Sequence, residues 1–461
     1  NNTQGAAVHT CPSSHGVKMV RARGNARMDA QEVKVNGEVS EPKVSKGRGR
    51  KRTLTSKAPP ETKKIKVTLE APNVENGVVL TVGMGDVGQL GLGPDVEEKT
   101  RPAVVPALSD IVAIAAGGLH SVFLDTAGKV YTCGCNDEGA LGRHTDNDED
   151  TYTSGPVDVE GKVVQVSAGD CHTAALLEDG RLFAWGCFRD NNGPLGFLDK
   201  GHLQKTPRQI LSDIAVIKIS SGNNHLAMLA HDGRVFTCGC GESGQLGRIA
   251  EVFATRDSRN RKGIETLLDP QPIKVFKNRK AVLFDDVWAG GVATFARARE
   301  TGNIYAFGLN NYNQLGDEDT NHKFQPVLLK NFFGKTWKQI STGQHHSLAI
   351  TEDGTTHCMG RREYGRLGLG HLDDDIKKPT PVTSLEGQKA INVSAGECVS
   401  LVVMESGDVY GFGMGTNNQL AQGNEEDQLV PVKLTGNQLA QRRVVAAAAG
   451  GQHTIILAVP K

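Results

Sequence analysis

The chain alternates short apolar runs with polar, glycine-rich segments, and the alternation itself repeats over a long interval. One copy opens at Ala116-Gly117-Gly118-Leu119-His120. It continues through an apolar run to Leu124, a turn at Gly128 and a second run, Lys129–Cys133, and closes on Gly134-Cys135-Asn136-Asp137-Glu138-Gly139-Ala140-Leu141-Gly142. The His120 position recurs at His172, His225, Ala293, His346, Val399 and His453, at intervals of 52, 53, 68, 53, 53 and 54 residues. Each of these residues follows a glycine three positions earlier. Self-similarity at a fixed period of this size marks a repeat architecture, and the long interval holds an insertion of about 15 residues.

Within a copy, Glu178-Asp179-Gly180-Arg181, His231-Asp232-Gly233-Arg234, Glu352-Asp353-Gly354-Thr355 and Glu405-Ser406-Gly407-Asp408 separate apolar runs. Glycine there supplies the positive φ that a hairpin turn requires. A unit of about 50 residues holds four short strands, the content of one propeller blade. The first strand-like segment, Val78–Val82 with the glycine-rich stretch to Gly93, lacks a preceding Gly-x-x-His half. The last half, Gly450-Gly451-Gln452-His453 through Leu457, lacks a glycine-rich sequel. Together they complete one blade. The expected fold is therefore all-β, a seven-bladed propeller over residues 77–461 closed by pairing its N- and C-terminal strands, which removes exposed sheet edges.

Gly83-x-Gly85-x-x-Gly88 after a strand imitates a dinucleotide fingerprint, but Gly91, Gly93 and Pro94 leave no room for the helix that would hold a pyrophosphate. Related stretches close the later copies, so this one belongs to the fold. The five repeat histidines stand in different blades and do not converge as a tetrahedral metal site demands. No HExxH, GxSxG or Walker motif is present. The expectation is a protein that breaks no bond, with no cofactor, no metal and no small-molecule substrate.

Charge changes the picture at one end. Residues 1–76 carry 15 Lys+Arg and 7 Asp+Glu, a net of +8, and the other 385 carry 37 and 45, a net of −8. The basic segment lacks sustained apolar periodicity and reads as a disordered tail. Arg48, Arg50, Lys51 and Arg52, followed after a spacer by Lys63, Lys64 and Lys66, have the layout of a two-part nuclear import signal. Such a tail suits an import receptor or nucleic acid. There is no CxxC, no secretory signal and no apolar run long enough to span a membrane, so a reducing compartment is expected.

Gly134–Arg143, Phe188-Arg189-Asp190-Asn191-Asn192-Gly193 and Gly343-Gln344-His345-His346 resemble the regulator of chromosome condensation family over about 385 residues. The resemblance implies a seven-bladed propeller that acts as a guanine nucleotide exchange factor for the small GTPase Ran and binds nucleosomes in the nucleus. It implies that Phe188, Arg189, Asp190, Asn191, Asn192 and Gly193 form a wedge against the GTPase. It further implies that Asp170, His345, Asp86, Arg248 and His453 face that partner. Where the family carries an aspartate important for exchange, this chain has Asn224. Asparagine keeps the shape, can accept a hydrogen bond and loses the charge, so the expectation is exchange at a reduced rate, or a larger share of the burden on Asp170 and Asp86. In the insertion, Arg256, Arg259, Arg261 and Lys262 are expected to meet the histone acidic patch, Arg256 and Arg259 as bidentate anchors, while the tail adds salt-sensitive contacts to nucleosomal DNA. Rival readings are a chromatin scaffold that has lost exchange, a photoreceptor propeller with a tryptophan cluster, and a hydrolase. Only Trp185, Trp288 and Trp337 are present, which disfavours the second, and the third lacks any catalytic constellation.

Overall fold

A computed structural model describes residues 67–72, 75–254 and 263–461. Arg48, Arg50, Lys51, Arg52, Lys63, Lys64, Lys66, Arg256, Arg259, Arg261 and Lys262 lie outside the described residues. The described residues belong to one compact unit, Thr62–Lys461.

Seven four-stranded antiparallel sheets form the blades. Blade 1 comprises Ile111–Ala116, His120–Asp125, Val130–Gly134 and Gly155–Val157. In blades 2 to 6 the first strands are Val163–Ala168, Val216–Ser221, Phe284–Gly290, Trp337–Thr342 and Ala390–Ala395. Blade 7 is assembled from both ends of the chain: Arg442–Ala449 and His453–Pro460 pair with each other, and Val78–Met84 pairs with His453–Pro460 and with Glu98–Val104. Val82 lies opposite Thr454, as ring closure requires. Each first strand lies against the first strand of the next blade, and that of blade 7 against that of blade 1. These strands form the inner ring.

Packing explains the repeat's composition. The second strand of each blade carries residues such as Val122, Leu124, Leu226, Met228, Leu348 and Ile350, all fully buried between neighbouring sheets. At roughly 25 cal/mol per Å² of apolar surface, such continuous interblade burial is the main stabilising force. The hairpin glycines adopt the expected left-handed conformation, with φ of 82° at Gly180 and 89° at Gly233.

The Gly-x-x-His motif has a different cause. Gly117, Gly169, Gly222 and Gly450 all have negative φ or ordinary extended backbone; what they lack is space. A β-carbon at any of them would collide with the imidazole three residues on, and at Gly343 it would come within 2.8 Å of the His346 ring. Each histidine therefore fills the hole its own glycine leaves.

The filled hole joins two blades. At six of the seven positions the residue after the His slot is Ser121, Thr173, Thr294, Ser347, Ser400 or Thr454, and each hydroxyl donates to a carbonyl in the glycine-rich loop of the preceding blade, at 2.6–3.0 Å. That hydroxyl oxygen in turn accepts from the preceding blade's imidazole. His120 reaches Thr173 at 2.9 Å, His225 Thr294 at 2.8 Å, His346 Ser400 at 2.8 Å and His453 Ser121 at 3.0 Å. Because each hydroxyl proton is already directed at a carbonyl, the imidazoles are neutral Nε2–H donors. Burial keeps them so, pushing His120 down to about 4 and His225 and His453 to about 3.

Contacts to the propeller begin before residue 77. Leu69 N–H donates to the Glu178 carbonyl at 2.7 Å, and Leu69 and Ala71 pack on the core of blades 2 and 3.

Candidate functional site: a loop-built face at one end of the ring

In an antiparallel blade the turn between strands one and two and the loop between strands three and four lie at the same end. Here they are stitched together in every blade, since the first loop residue donates its N–H to the carbonyl just before the His position: Cys135 to Leu119, Cys187 to Cys171, Cys240 to Asn224, Arg361 to His345. The two variable residues of each Gly-x-x-His turn and the variable loop thus share one face.

Blade 2 departs from the pattern. Its loop is a small hairpin, Phe188–Asp190 paired with Gly193–Gly196. Both neighbouring blades hold it. Arg189 N–H donates to Asn224 Oδ1 at 2.9 Å, Asn191 N–H to Glu242 Oε2 at 3.1 Å, and the Arg189 guanidinium pairs with Glu138. Asn192 N–H closes the turn on Asp190 Oδ1 at 2.8 Å. Asn191, Asn192 and Pro194 are exposed at its tip.

Asn224 is the joint of this arrangement. Its Oδ1 holds the hairpin backbone, while its Nδ2 donates to Asp170 Oδ2 at 3.0 Å. An aspartate could make only the first of these bonds. The Asp170 carboxyl is pushed up to about 6, by burial first and the Glu397 charge second, against the Asn224 hydrogen bond and the Arg189 charge.

His345 belongs to a separate group on blades 4 and 5. Its ring meets Tyr312 edge-on at 4.9 Å, and the Arg361 guanidinium lies 4.5 Å over the same tyrosine. Burial, with the charges of Arg366 and Arg361, lowers His345 to about 4, so it is neutral at pH 7. Asp86 stands exposed in the blade 7 loop, its carboxylate accepting from Gln89 Nε2 at 3.0 Å.

Three of the expected partner-facing residues sit elsewhere. Phe188 is fully buried, stacked on Phe197 at 5.0 Å and tilted on His172 at 4.7 Å, so it roots the hairpin and presents no ring to a partner. His453 is fully buried in its interblade bond to Ser121. Arg248 turns inward, donating to the carbonyls of Thr237, Thr266, Leu267 and Asp269. Arg143 does the same in blade 1, to Thr132, Asp150 and Thr153. That parallel was legible in the sequence, since both arginines follow the Leu-Gly that closes their loops.

Sequence reasoning passed over one surface feature. A hairpin, Phe276–Lys277 with Lys280–Ala281, projects from the connection between blades 3 and 4, at the opposite end of the ring. Lys274, Phe276, Lys277, Arg279 and Lys280 are all exposed. Four cations within residues 274–280 were the available signal. Among the described residues no cluster of His, Cys, Asp and Glu could hold a metal, and no helix is long and apolar enough to cross a membrane.

A closed ring of seven blades, four of whose seams are latched by an imidazole, with a variable loop face at one end, defines a repeat propeller. Residues 78–456 match the RCC1-like domain, and the chain belongs to that family. It is 47% identical over 412 residues to the mouse regulator of chromosome condensation, covering 88% of this chain and 97% of that protein. It is 30% identical over 428 residues to the Saccharomyces cerevisiae guanine nucleotide exchange factor SRM1, covering 81% and 85%. Among solved structures it is similar to S. cerevisiae Prp20p, described with its binding to Gsp1p and histones, with a TM-score of 0.75, 28% identity and coverage of 86% and 93%.

Proposed function

We propose that this chain is a guanine nucleotide exchange factor for the small GTPase Ran, working on chromatin in the nucleus. The observation that carries the reading is the anchored hairpin: Asn224 ties its backbone to Asp170, and its polar tip is exposed beside them. A segment held from both neighbouring blades loses little conformational entropy when it enters a partner. Exchange asks for no covalent step. Exchange factor and nucleotide bind the GTPase with negative coupling, so the insertion of a rigid polar segment near the phosphates weakens the nucleotide by the factor the nucleotide weakens the complex. Asn191, Asn192 and Asp190 would occupy the vacated polar surface, with Asp170 and His345 flanking it.

Chromatin association draws support from the yeast relative's binding to histones and from the exposed cationic hairpin at the other end, which suits phosphate contacts without sequence readout. The basic segment around Arg50 and Lys63 would engage an importin, as the yeast protein does with Kap60. Placing these partners at different parts of the chain leaves the loop face free for the GTPase.

The test is release of fluorescent GDP from Ran by catalytic amounts of the full chain. Release at least tenfold above the spontaneous rate is expected. Asn224→Ala should slow it about 30–150-fold, since two part-buried polar contacts are lost at roughly 1–1.5 kcal/mol each. No acceleration by a folded chain would favour the scaffold reading, for which the uncharged Asn224 is the supporting observation.

A further inference from the structure

The seven turns, five of them Gly-x-x-His, ring the axis closely. Gly118 N–H donates to the Gly169 carbonyl at 3.1 Å, Asp170 N–H to Asn223 at 2.7 Å, and Gly451 N–H to Gly118 at 3.0 Å. At the first variable position of these turns two blades carry carboxylates, Asp170 in blade 2 and Glu397 in blade 6. The shorter arc between them passes only blades 1 and 7, where the residues are Gly118 and Gly451. Neither blade puts a side chain at that position between the two carboxylates. Asp170 leans into the gap, because a β-carbon on Gly118 would lie 3.3 Å from its Oδ1.

Behind Glu397 stands an unusual cation. The loops of blades 7, 3 and 4 place Gln89, Gln245 and Gln314 at one position, each accepting from its own loop's backbone at 2.9–3.1 Å. Blade 5 has Arg366 there, 1% exposed, with Nε donating to the Glu363 carbonyl at 2.9 Å and Nη1 meeting no partner. Its charge favours the anionic form of Glu397, against the burial that raises that carboxyl.

We infer that Glu397 is a positioning residue of the exchange face, acting on the Asp170 carboxylate across the glycine arc, with Arg366 as its counter-charge. The inference rests on Asp170 belonging to the partner contact. Asp170 is faced by Glu397 across the axis, by Arg189 on its own blade's hairpin and by the neutral Asn224 of blade 3. His120 of blade 1, fully buried in its bond to Thr173, is lowered to about 4 and stays neutral above pH 5. Glu397 raises Asp170, so removing its charge must lower Asp170, and the loss of exchange on acidification must move to lower pH.

The experiment measures kcat/KM for GDP release from pH 5 to 8 with the full chain, E397Q, D170N and the double variant. The wild-type rate should fall as pH drops through about 6. At pH 5.5, E397Q should retain a roughly threefold larger fraction of its pH 7.5 rate than wild type. In the D170N background the E397Q change should leave the profile unmoved. A wild-type and E397Q profile that superimpose, or an E397Q shift that persists without Asp170, would overturn the inference. Carboxyl NMR of the free chain, with the Asp170 signal assigned from D170N, decides it independently of exchange. A midpoint that drops in E397Q supports the role of Glu397 even if the exchange reading has failed, and an unchanged midpoint removes it.

Discussion

The seam between blades 1 and 2 and the seam between blades 2 and 3 use the same parts differently. At the first, His120 donates to Thr173 and Thr173 donates to the Ala140 carbonyl. At the second the hydroxyl position holds Leu226, so His172 is fully buried with neither ring nitrogen partnered. Its ring instead packs on Phe188, the root of the hairpin. Blade 2 has thus given up both the standard loop and the polar latch, whereas at blades 4 and 6, which carry Ala293 and Val399, the next blade's Ser347 and Thr454 hydroxyls still reach the loop carbonyls. In a repeat protein the fold's demands are spread over many equal copies, so one copy can be released from them and take on a task.

The comparison can be broken most severely at the glycines. Gly222→Ala should destabilise by about 3 kcal/mol or more, because the His225 ring has no room to retreat, and chemical denaturation would measure it. The histidines come next. His225→Leu should cost about 1–2 kcal/mol by taking the Nε2–H donor from the buried Thr294 oxygen, whereas His172→Leu should be neutral or stabilising by about 1 kcal/mol, since it removes two unpaired buried nitrogens. Equal costs at the two sites would erase the distinction between the seams.

Acid sharpens it further. His120, His172, His225 and His453 are lowered to about 4, 3, 3 and 3, while in the unfolded chain they protonate near 6.5. The unfolded state therefore binds more protons as pH falls below 6.5. Stability present above that pH is lost on the way down to about 4, at up to roughly 1.4 kcal/mol per pH unit for each histidine. His172→Leu should reduce that slope by about one proton. The smallest effect is a coupling: Leu226→Thr should interact favourably with His172 by about 1 kcal/mol in a double-mutant cycle, because it supplies the missing hydroxyl.

The period, the ring closure and the hairpin turns were legible because they depend on backbone and burial, which every copy obeys. The reason for Gly-x-x-His was not. A glycine in a sequence suggests a turn, and only the folded chain reveals that a ring three residues on occupies its missing side chain. The site was legible in part. Blade 2's loop stands out by its departure from the repeat, but the burial of Phe188 follows from its neighbours Phe197 and His172, one of them distant in sequence. Asn224 read as a lost charge, yet its amide makes a bond no carboxylate could make. Glu397 escaped notice because its effect crosses the ring through two glycines, a relation that no local pattern encodes.

Blade 7 ties the protein's assembly to time. Val82 waits for Thr454, 372 residues later in the chain. At ribosomal speeds of about 5–20 residues per second, that strand's edge goes unpaired for roughly 20 to 75 s. The first strand of the propeller to leave the ribosome is among the last to find its neighbour. A nascent chain cut short before His453 would carry two open sheet edges of matching register, a ready template for joining another such fragment.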